Sequence, residues 1–316
     1  MSSTTERPCG DNVALPPLPA APVVGLVGSA GAYGRWLRGY FEQRMGLRVL
    51  GHDPADPASD TPEQLVEHAD VLVFAAPIRA VPALVARYVE LSAGRERGRL
   101  WLDVTSLKQA PVAAMLQSQA EVVGLHPMTA PPKAPTLKGR VVVVCQARLQ
   151  RWQPWLQALL QGLQGEYVHA EPAHHDQVMA LVQALVHALH LGQAAVLREL
   201  ASGLGGPAAL LPFRSGAFEM DMAVISRILS LNPAIYEDIQ FGNPHASDVL
   251  QALARQIQCM ANLVGEGTDA ARAAFRREFL HDNHAAIGPD MLAQGNYSYE
   301  RIGYLLVDEC QDTNDA

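Results

Sequence analysis

The sequence predicts an α/β fold, a mostly parallel sheet covered by helices, followed by an all-helical region. Three observations carry this reading. Short apolar runs that stop in polar or turn residues alternate with helical patterns through the first half of the chain, the pattern of a parallel sheet covered on both faces. A turn with regularly spaced glycines comes directly after the first of those runs. Strand signals cease after about Ala170, and the second half reads as helices rich in Ala, Leu, Val and Gln. The expected organisation is a flexible tail over 1–21, a sheet domain over 22–170 and a helical domain over 171–316.

Pro22-Val23-Val24-Gly25-Leu26-Val27 is a buried-strand run, and Arg35-Trp36-Leu37-Arg38-Gly39-Tyr40-Phe41 opens a helix. Between them lies Gly28-Ser29-Ala30-Gly31-Ala32-Tyr33-Gly34. Glycines in a strand-to-helix turn let backbone amides approach a pyrophosphate, and the helix N-terminus favours its charge. The spacing is GxxGxxG rather than GxGxxG, and alone it is a weak signal. Its context strengthens it. A second strand over 47–52 ends in Asp53, about twenty residues past the turn, where a carboxylate can accept the ribose hydroxyls of an adenosine. An acid there repels a 2′-phosphate, which favours NAD over NADP. Asp53 also starts an Asp-Pro loop. A third strand from Asp70 ends at Ala76-Pro77, placed to pass the nicotinamide ribose. These features predict a Rossmann-type dinucleotide-binding domain with cofactor contacts at Gly28, Ser29, Ala30, Gly31, Ala32, Tyr33, Gly34, Asp53, Ala76 and Pro77.

A helix is expected over about 81–91, and further strands over 100–103, 122–125, 141–145 and 165–168. Two of these strands stop in chemically useful residues. Leu100-Trp101-Leu102 stops at Asp103-Val104-Thr105-Ser106-Leu107-Lys108, and Val122-Val123-Gly124-Leu125 stops at His126-Pro127-Met128. Ligands sit at the carboxyl ends of strands in open α/β sheets. A histidine there can accept a proton near neutral pH, and a lysine can hold an anion. A lone strand-end histidine is equally compatible with a hydrogen-bonded structural role.

In the second half, His174-His175-Asp176 opens a long helix running through Gln177 to Leu200. It is apolar on nearly every face, which predicts burial, here between subunits of a homodimer. Further helices are expected over 218–231, 244–264 and 269–280, and Arg276 and Arg277 with Glu278 form a solvated face. The pairs His174/His175, His187/His190 and His281/His284 lack a further ligand in register, so no metal site is expected.

Composition bounds the rest. A chain of 316 residues with 49% apolar content has room for two domains with substantial cores. A formal charge of −8 argues against nucleic-acid binding. Cys9, Cys145, Cys259 and Cys310 show no paired spacing, as expected of a reduced, cytoplasmic chain. No unbroken apolar run approaches the ~18 residues that span a bilayer, and no signal peptide is evident, so no membrane partner is expected.

Several segments, in order, resemble the prephenate dehydrogenase family of tyrosine biosynthesis. They are the turn over 27–34, Asp103 to Lys108, Gly124-Leu125-His126-Pro127-Met128, and the stretch from His175 to His187. Arg227, Asn232-Pro233 and Tyr236-Glu237-Asp238-Ile239 extend the likeness, which covers roughly 22–280. The resemblance implies NAD-dependent oxidative decarboxylation of prephenate to 4-hydroxyphenylpyruvate. By the same resemblance His126 is the general base on the C4 hydroxyl, and Ser106 orients the imidazole or bonds that hydroxyl. Lys108 holds a substrate carboxylate, and Gln183 and His187 face the substrate or product pocket or else pack in a dimer core. The family also carries an arginine near the start of the second helix that grips a carboxylate. That position is Glu219 here, and Arg214 is assigned the role instead. Glu219 keeps open an alternative substrate bearing an ammonium group, such as arogenate or an amino analogue of prephenate. A non-catalytic cofactor-binding regulatory protein is the reading from another class. In the usual Met-Phe-Gly-Pro stretch, this chain has Met128-Thr129-Ala130-Pro131.

Overall fold

The computed structural model describes residues 17–299. Most of the expected tail, Cys9, Cys310 and the chain beyond Tyr299 lie outside the described residues. The described chain forms two compact units. The first runs through Met179 and takes up Ala234–Pro244; the second comprises Ala180–Pro233 and the chain from His245.

The first unit is built on a seven-stranded sheet: β1 (Val24–Val27), β2 (Val49–His52), β3 (Val71–Phe74), β4 (Leu100–Asp103), β5 (Glu121–Pro127), β6 (Val141–Arg148) and β7 (Glu166–His169). The spatial order is β2-β1-β3-β4-β5-β6-β7. Every pairing is parallel except β5 with β6. Alternate residues feed two cores. On one face Val24, Leu26, Val71, Val73, Leu100 and Leu102 pack with Leu37, Phe41, Trp152 and Leu159. On the other, Val27, Leu72, Phe74 and Trp101 pack with Leu65, Val85, Tyr88 and Met115. Burial on both faces is why these strands read as continuous apolar runs.

Helices α1 (Ala32–Gly39) and α5 (Gln153–Leu163) cover the first face. The second is covered by α2 (Pro62–His68), α3 (Val81–Ser92) and α4 (Gln109–Met115). The start of α2 is set by a capping box. The Thr61 hydroxyl accepts from Gln64 N at 3.2 Å, Thr61 N donates to Gln64 Oε1 at 2.7 Å, and Pro62 takes the first turn. Beyond β7, α6 (Pro172–Met179) ends the first stretch of this unit, and α9 (Pro233–Gly242) supplies its last piece.

β5 corrects one expectation. The strand does not stop before His126; it continues through Pro127, because β6 returns antiparallel and pairs Val143 with His126 and Val142 with Pro127. His126 is therefore held by a strand rather than by a turn.

The second unit contains α7 (Val186–Leu200), α8 (Gly216–Ser230), α10 (Ala246–Glu266), α11 (Asp269–Phe275) and α12 (Asp282–Ile287). Here α7 packs on α8, and α10 packs on α11 and on the π-helical turn Ala180–Leu185. Helical structure is continuous over Pro172–Leu204 and, by length and composition, suffices to cross a membrane. The expectation concerned apolar runs, and none of that length lies in this stretch. Scattered His and Gln side chains break the strict apolar run without lowering its average hydropathy below that of a span. The same helix was expected to be buried. In the single chain Leu181, Val182, Leu189, Val196 and Leu200 are exposed.

Candidate active site

The carboxyl edge of the sheet gathers the candidate groups of the first unit. Register places His52, Val27, Phe74, Asp103 and Gly124 side by side across β2, β1, β3, β4 and β5. The glycine turn, Asp53 and His126 all come within two residues of that row. Three strand spacings separate β1 from β5, roughly 14 Å at ~4.8 Å each.

Gly28 has φ +90°, and a Cβ there would meet the backbone of Ala75 and Ala76 at 2.8 Å. Only glycine lets the turn lie this close to the end of β3. At Gly31, which caps α1, no side chain occupies the exposed amides, and the first turn holds no acid. The Asp53 carboxylate accepts Ala30 N at 3.0 Å and Ala55 N at 2.9 Å, which ties the end of β2 to the glycine turn. A carboxylate has about four acceptor positions, so capacity for ribose hydroxyls remains. A bare helix N-terminus, a backbone cradle that a Cβ would fill and a carboxylate beside it fit the pyrophosphate and ribose of a dinucleotide. Ser29 and Gly34 are buried in the turn, Ala30, Gly31 and Tyr33 are half-buried, and Ala32 is exposed. Ala76 is half-buried, and the exposed Pro77 starts the short turn Ile78–Ala80. The loop after His126 is fastened to α1. The Tyr33 hydroxyl donates to Thr129 O at 2.6 Å, and Trp36 Nε1 donates to Ala134 O at 3.0 Å.

His126 is 2% exposed. Its Nδ1 lies 2.9 Å from Nε2 of His175, and Nδ1 of His175 lies 2.7 Å from Oδ1 of Asp176. The Asp176 carboxylate also accepts Lys108 N at 2.8 Å and Gln109 N at 3.0 Å. Its own carbonyl takes Asn243 Nδ2 at 2.8 Å. Burial, then the neighbouring His175 and Lys108, hold the His126 imidazole well below the usual histidine range. It is neutral at pH 7 and able to accept a proton. Burial works to raise the Asp176 carboxyl, but the bonds from His175 and from the two backbone amides outweigh it and hold it low.

The structure bears on two expected roles. Ser106 was expected to orient the imidazole or to bond the substrate hydroxyl; Nδ1 of His126 meets His175, and Ser106 is half-buried on the loop leading into α4. Lys108 was expected to hold a substrate carboxylate. Its side chain is fully enclosed, its ammonium contacts the Asp103 carboxylate, and it donates to Leu125 O at 2.8 Å. Asp103 also accepts Thr105 N at 2.9 Å. The lysine thus braces the ends of β4 and β5 from inside. Gly124 makes room for it, since a Cβ there would lie 2.9 Å from Lys108 Cδ.

In the second unit Gln183 lies in the π-helical turn and is half-buried, with a buried Oε1 that has no hydrogen-bond partner among the described residues. His187 starts α7, and burial, then His190, lowers its pKa. Arg214 and Glu219, the two candidates for meeting the substrate at the start of α8, face each other: Arg214 Nε lies 2.6 Å from Glu219 Oε1. Cys145 is buried and free, and burial pushes its thiol up to about 11, as suits an inert core residue. Among the described residues no group of three or more His, Cys, Asp or Glu is arranged to hold a metal ion.

Sequence reasoning missed Asp103, His175 and Asp176 as members of the site. It also missed the junction made by α9. Arg79 pairs with Asp238 at 3.0 Å and Glu237 at 3.3 Å, and its backbone N donates to Asp238 Oδ2 at 3.2 Å. The turn after Pro77 is therefore anchored by chain from far downstream.

Two family models match. Residues 55–169 match the nucleotide-binding domain of prephenate dehydrogenase, and 171–277 match its dimerization domain. A 4-amino-4-deoxyprephenate dehydrogenase of Streptomyces pristinaespiralis is 32% identical over 238 residues, covering 74% of this chain and 76% of that protein. The chain belongs to the prephenate dehydrogenase family. The nucleotide-binding match begins after the glycine turn and Asp53, so those features rest on their own geometry. A probable arogenate/prephenate dehydrogenase of Methanocaldococcus jannaschii is 26% identical over 73% of this chain, and a T-protein of Enterobacter agglomerans is 30% identical over 63%. The chain spans about half the length of these two relatives, 54% and 52%. Among solved structures, prephenate dehydrogenase from A. aeolicus, in complex with hydroxyphenyl propionate and NAD+, aligns with TM-score 0.64 at 16% identity over 83% of this chain and 98% of that one. Synechocystis arogenate dehydrogenase aligns with TM-score 0.61 at 16% identity over the same shares of the two chains. These likenesses establish the fold.

Proposed function

We propose that this chain catalyses the NAD-dependent oxidative decarboxylation of prephenate to 4-hydroxyphenylpyruvate, with His126 as general base, in tyrosine biosynthesis. The observation that carries the reading is His126 itself: a buried neutral imidazole at the carboxyl edge of the sheet, its Nδ1 engaged and its Nε2 left for substrate. Gly28 to Gly34 would hold the pyrophosphate, Asp53 the adenosine ribose, and Ala76 and Pro77 the nicotinamide ribose. The bound nicotinamide supplies the hydride acceptor. His126 Nε2 takes the C4 hydroxyl proton as the C4–H bond gives up its hydride. When the ring carboxylate leaves as CO2, its bonding electron pair enters the ring, and the proton returns to oxygen to give the phenol. Aromatisation supplies much of the driving force, so the residues chiefly position and balance charge.

Ser106 bonds the C4 hydroxyl in this reading, and Gln183, His187 and Arg214 contact the rest of the substrate. Lys108 is a brace for β4 and β5. The apolar helix Pro172–Leu204 serves a homodimer rather than a membrane, as the dimerization-domain match supports, and the enzyme is cytoplasmic. Purified protein with prephenate and NAD should generate NADH absorbance, and His126→Asn should lower turnover by about 10² or more with NAD affinity little changed. No signal at millimolar prephenate would reject the activity.

The Arg214–Glu219 pair supports a second reading. With Glu219 drawing on the charge of Arg214, the pair would suit a substrate that carries an ammonium group, arogenate or 4-amino-4-deoxyprephenate. Turnover of the three compounds side by side separates the readings; a clear preference for prephenate removes the second.

A further inference from the structure

We infer that His175 and Asp176 are positioning residues that fix the tautomer of His126 and, through the same carboxylate, the loop that carries Ser106. The inference deepens the reading of His126 as base and rests on it. An ionised carboxylate only accepts hydrogen bonds, so the 2.7 Å contact to Asp176 places the His175 hydrogen on Nδ1. With its single hydrogen on Nδ1, His175 offers the Nε2 lone pair as an acceptor. In that arrangement the 2.9 Å contact carries the His126 hydrogen on Nδ1. What remains on His126 is an unprotonated Nε2, the form a general base requires. Each link sets the next, and the chain starts from one anion.

That anion is itself fixed. Asp176 is 1% exposed and accepts the backbone amides of Lys108 and Gln109, the residues that end the Ser106 loop and begin α4. Asn243 holds its carbonyl. One carboxylate thus ties the imidazole on β5 to the hydroxyl loop after β4. When His126 takes the substrate proton, the imidazolium donates along the same line toward Asp176, which supports the new charge without any group moving.

The test uses the full chain labelled with 15N-histidine, with His126→Asn identifying the His126 signals by their loss. In the wild type the shifts should report a protonated Nδ1 and a bare Nε2. In Asp176→Asn the side-chain amide can donate to His175 Nδ1, which reverses both tautomers and places the His126 hydrogen on Nε2. Its kcat should fall by about 10²-fold or more, with the KM for prephenate and the affinity for NAD within about threefold of wild type. His175→Gln retains an acceptor for His126 Nδ1 but loses the link to the Asp176 anion, and its kcat should lie between those of the wild type and Asp176→Asn.

A wild-type His126 carrying its hydrogen on Nε2 overturns the inference, and so does an unchanged kcat in a folded Asp176→Asn. Where that variant does not fold, the wild-type spectrum and the His175→Gln kcat decide. Should His126→Asn keep its turnover, the base reading fails instead, and the spectrum still tests the relay.

Discussion

Replacing Lys108 by methionine separates its two readings. Both Lys108 and Asp103 are fully enclosed, and the ammonium contacts Asp103 Oδ2. Methionine fills much of the same volume but leaves the carboxylate as a buried anion, its remaining bonds coming from Thr105 on Oδ1. Two unit charges about 3 Å apart attract by roughly 5 kcal/mol at an effective dielectric of about 20. Breaking such a pair from one side costs about 3–5 kcal/mol, because the survivor cannot be rehydrated. We expect Lys108→Met to lose about 3–5 kcal/mol of stability. Lys108→Met with Asp103→Asn should return to within about 2 kcal/mol of wild type, since neutralising both partners removes the stranded charge. Urea unfolding followed by circular dichroism, at one fixed protein concentration, measures both. A single variant that unfolds within about 1 kcal/mol of wild type while its prephenate KM rises would refute the reasoning and return the ammonium to the substrate.

Because burial, then the neighbouring His175 and Lys108, depress the His126 pKa, the acid limb of kcat/KM should lie below the usual ~6.5 of histidine. Protonation removes the base, so activity is lost as pH falls through that limb and is flat from there to pH 7; a limb centred at or above 6.5 contradicts the assignment. Gly28→Ala forces a Cβ to 2.8 Å from the Ala75 and Ala76 backbone at φ +90°, and NAD affinity measured by fluorescence titration should fall about tenfold or more; an unchanged affinity moves the pyrophosphate elsewhere. Asp53→Ala removes the carboxylate that would repel a 2′-phosphate, so the ratio of NADP to NAD in kcat/KM should rise about tenfold; a constant ratio shows that Asp53 does not face the ribose.

The strands were legible because parallel strands buried on both faces leave uninterrupted Val and Leu runs. The short helices α2, α4 and α5 were harder, although Thr61-Pro62-Glu63-Gln64 spells out a capping box. Lys108 was ambiguous in the sequence because an anion-binding lysine and an internal brace use the same residue in the same loop; its enclosure favours the brace. The relay was invisible for another reason. His126 and His175 lie 49 positions apart, and nothing in periodicity joins a strand end to a later helix start. The adjacent His175 and Asp176 were the available signal. The expected burial of the long helix did not appear in one chain, since hydropathy reports what a surface needs, not which molecule supplies it.

Because Ala234–Pro244 belongs to the first unit, the chain leaves that unit at Met179, returns at Ala234 and leaves again. The polypeptide made between those points must emerge from the ribosome before Asp238 can meet Arg79 and Asn243 can meet Asp176. Vectorial synthesis therefore delivers the sheet early and the support beneath Asp176 late. A truncation at the junction of the two family matches, near residue 170, would keep the glycine turn and His126 but discard His175, Asp176 and α9. Shuffling the nucleotide-binding half onto another partner by a single crossover would deliver a histidine without its scaffold, which makes this architecture heritable as a whole rather than in halves.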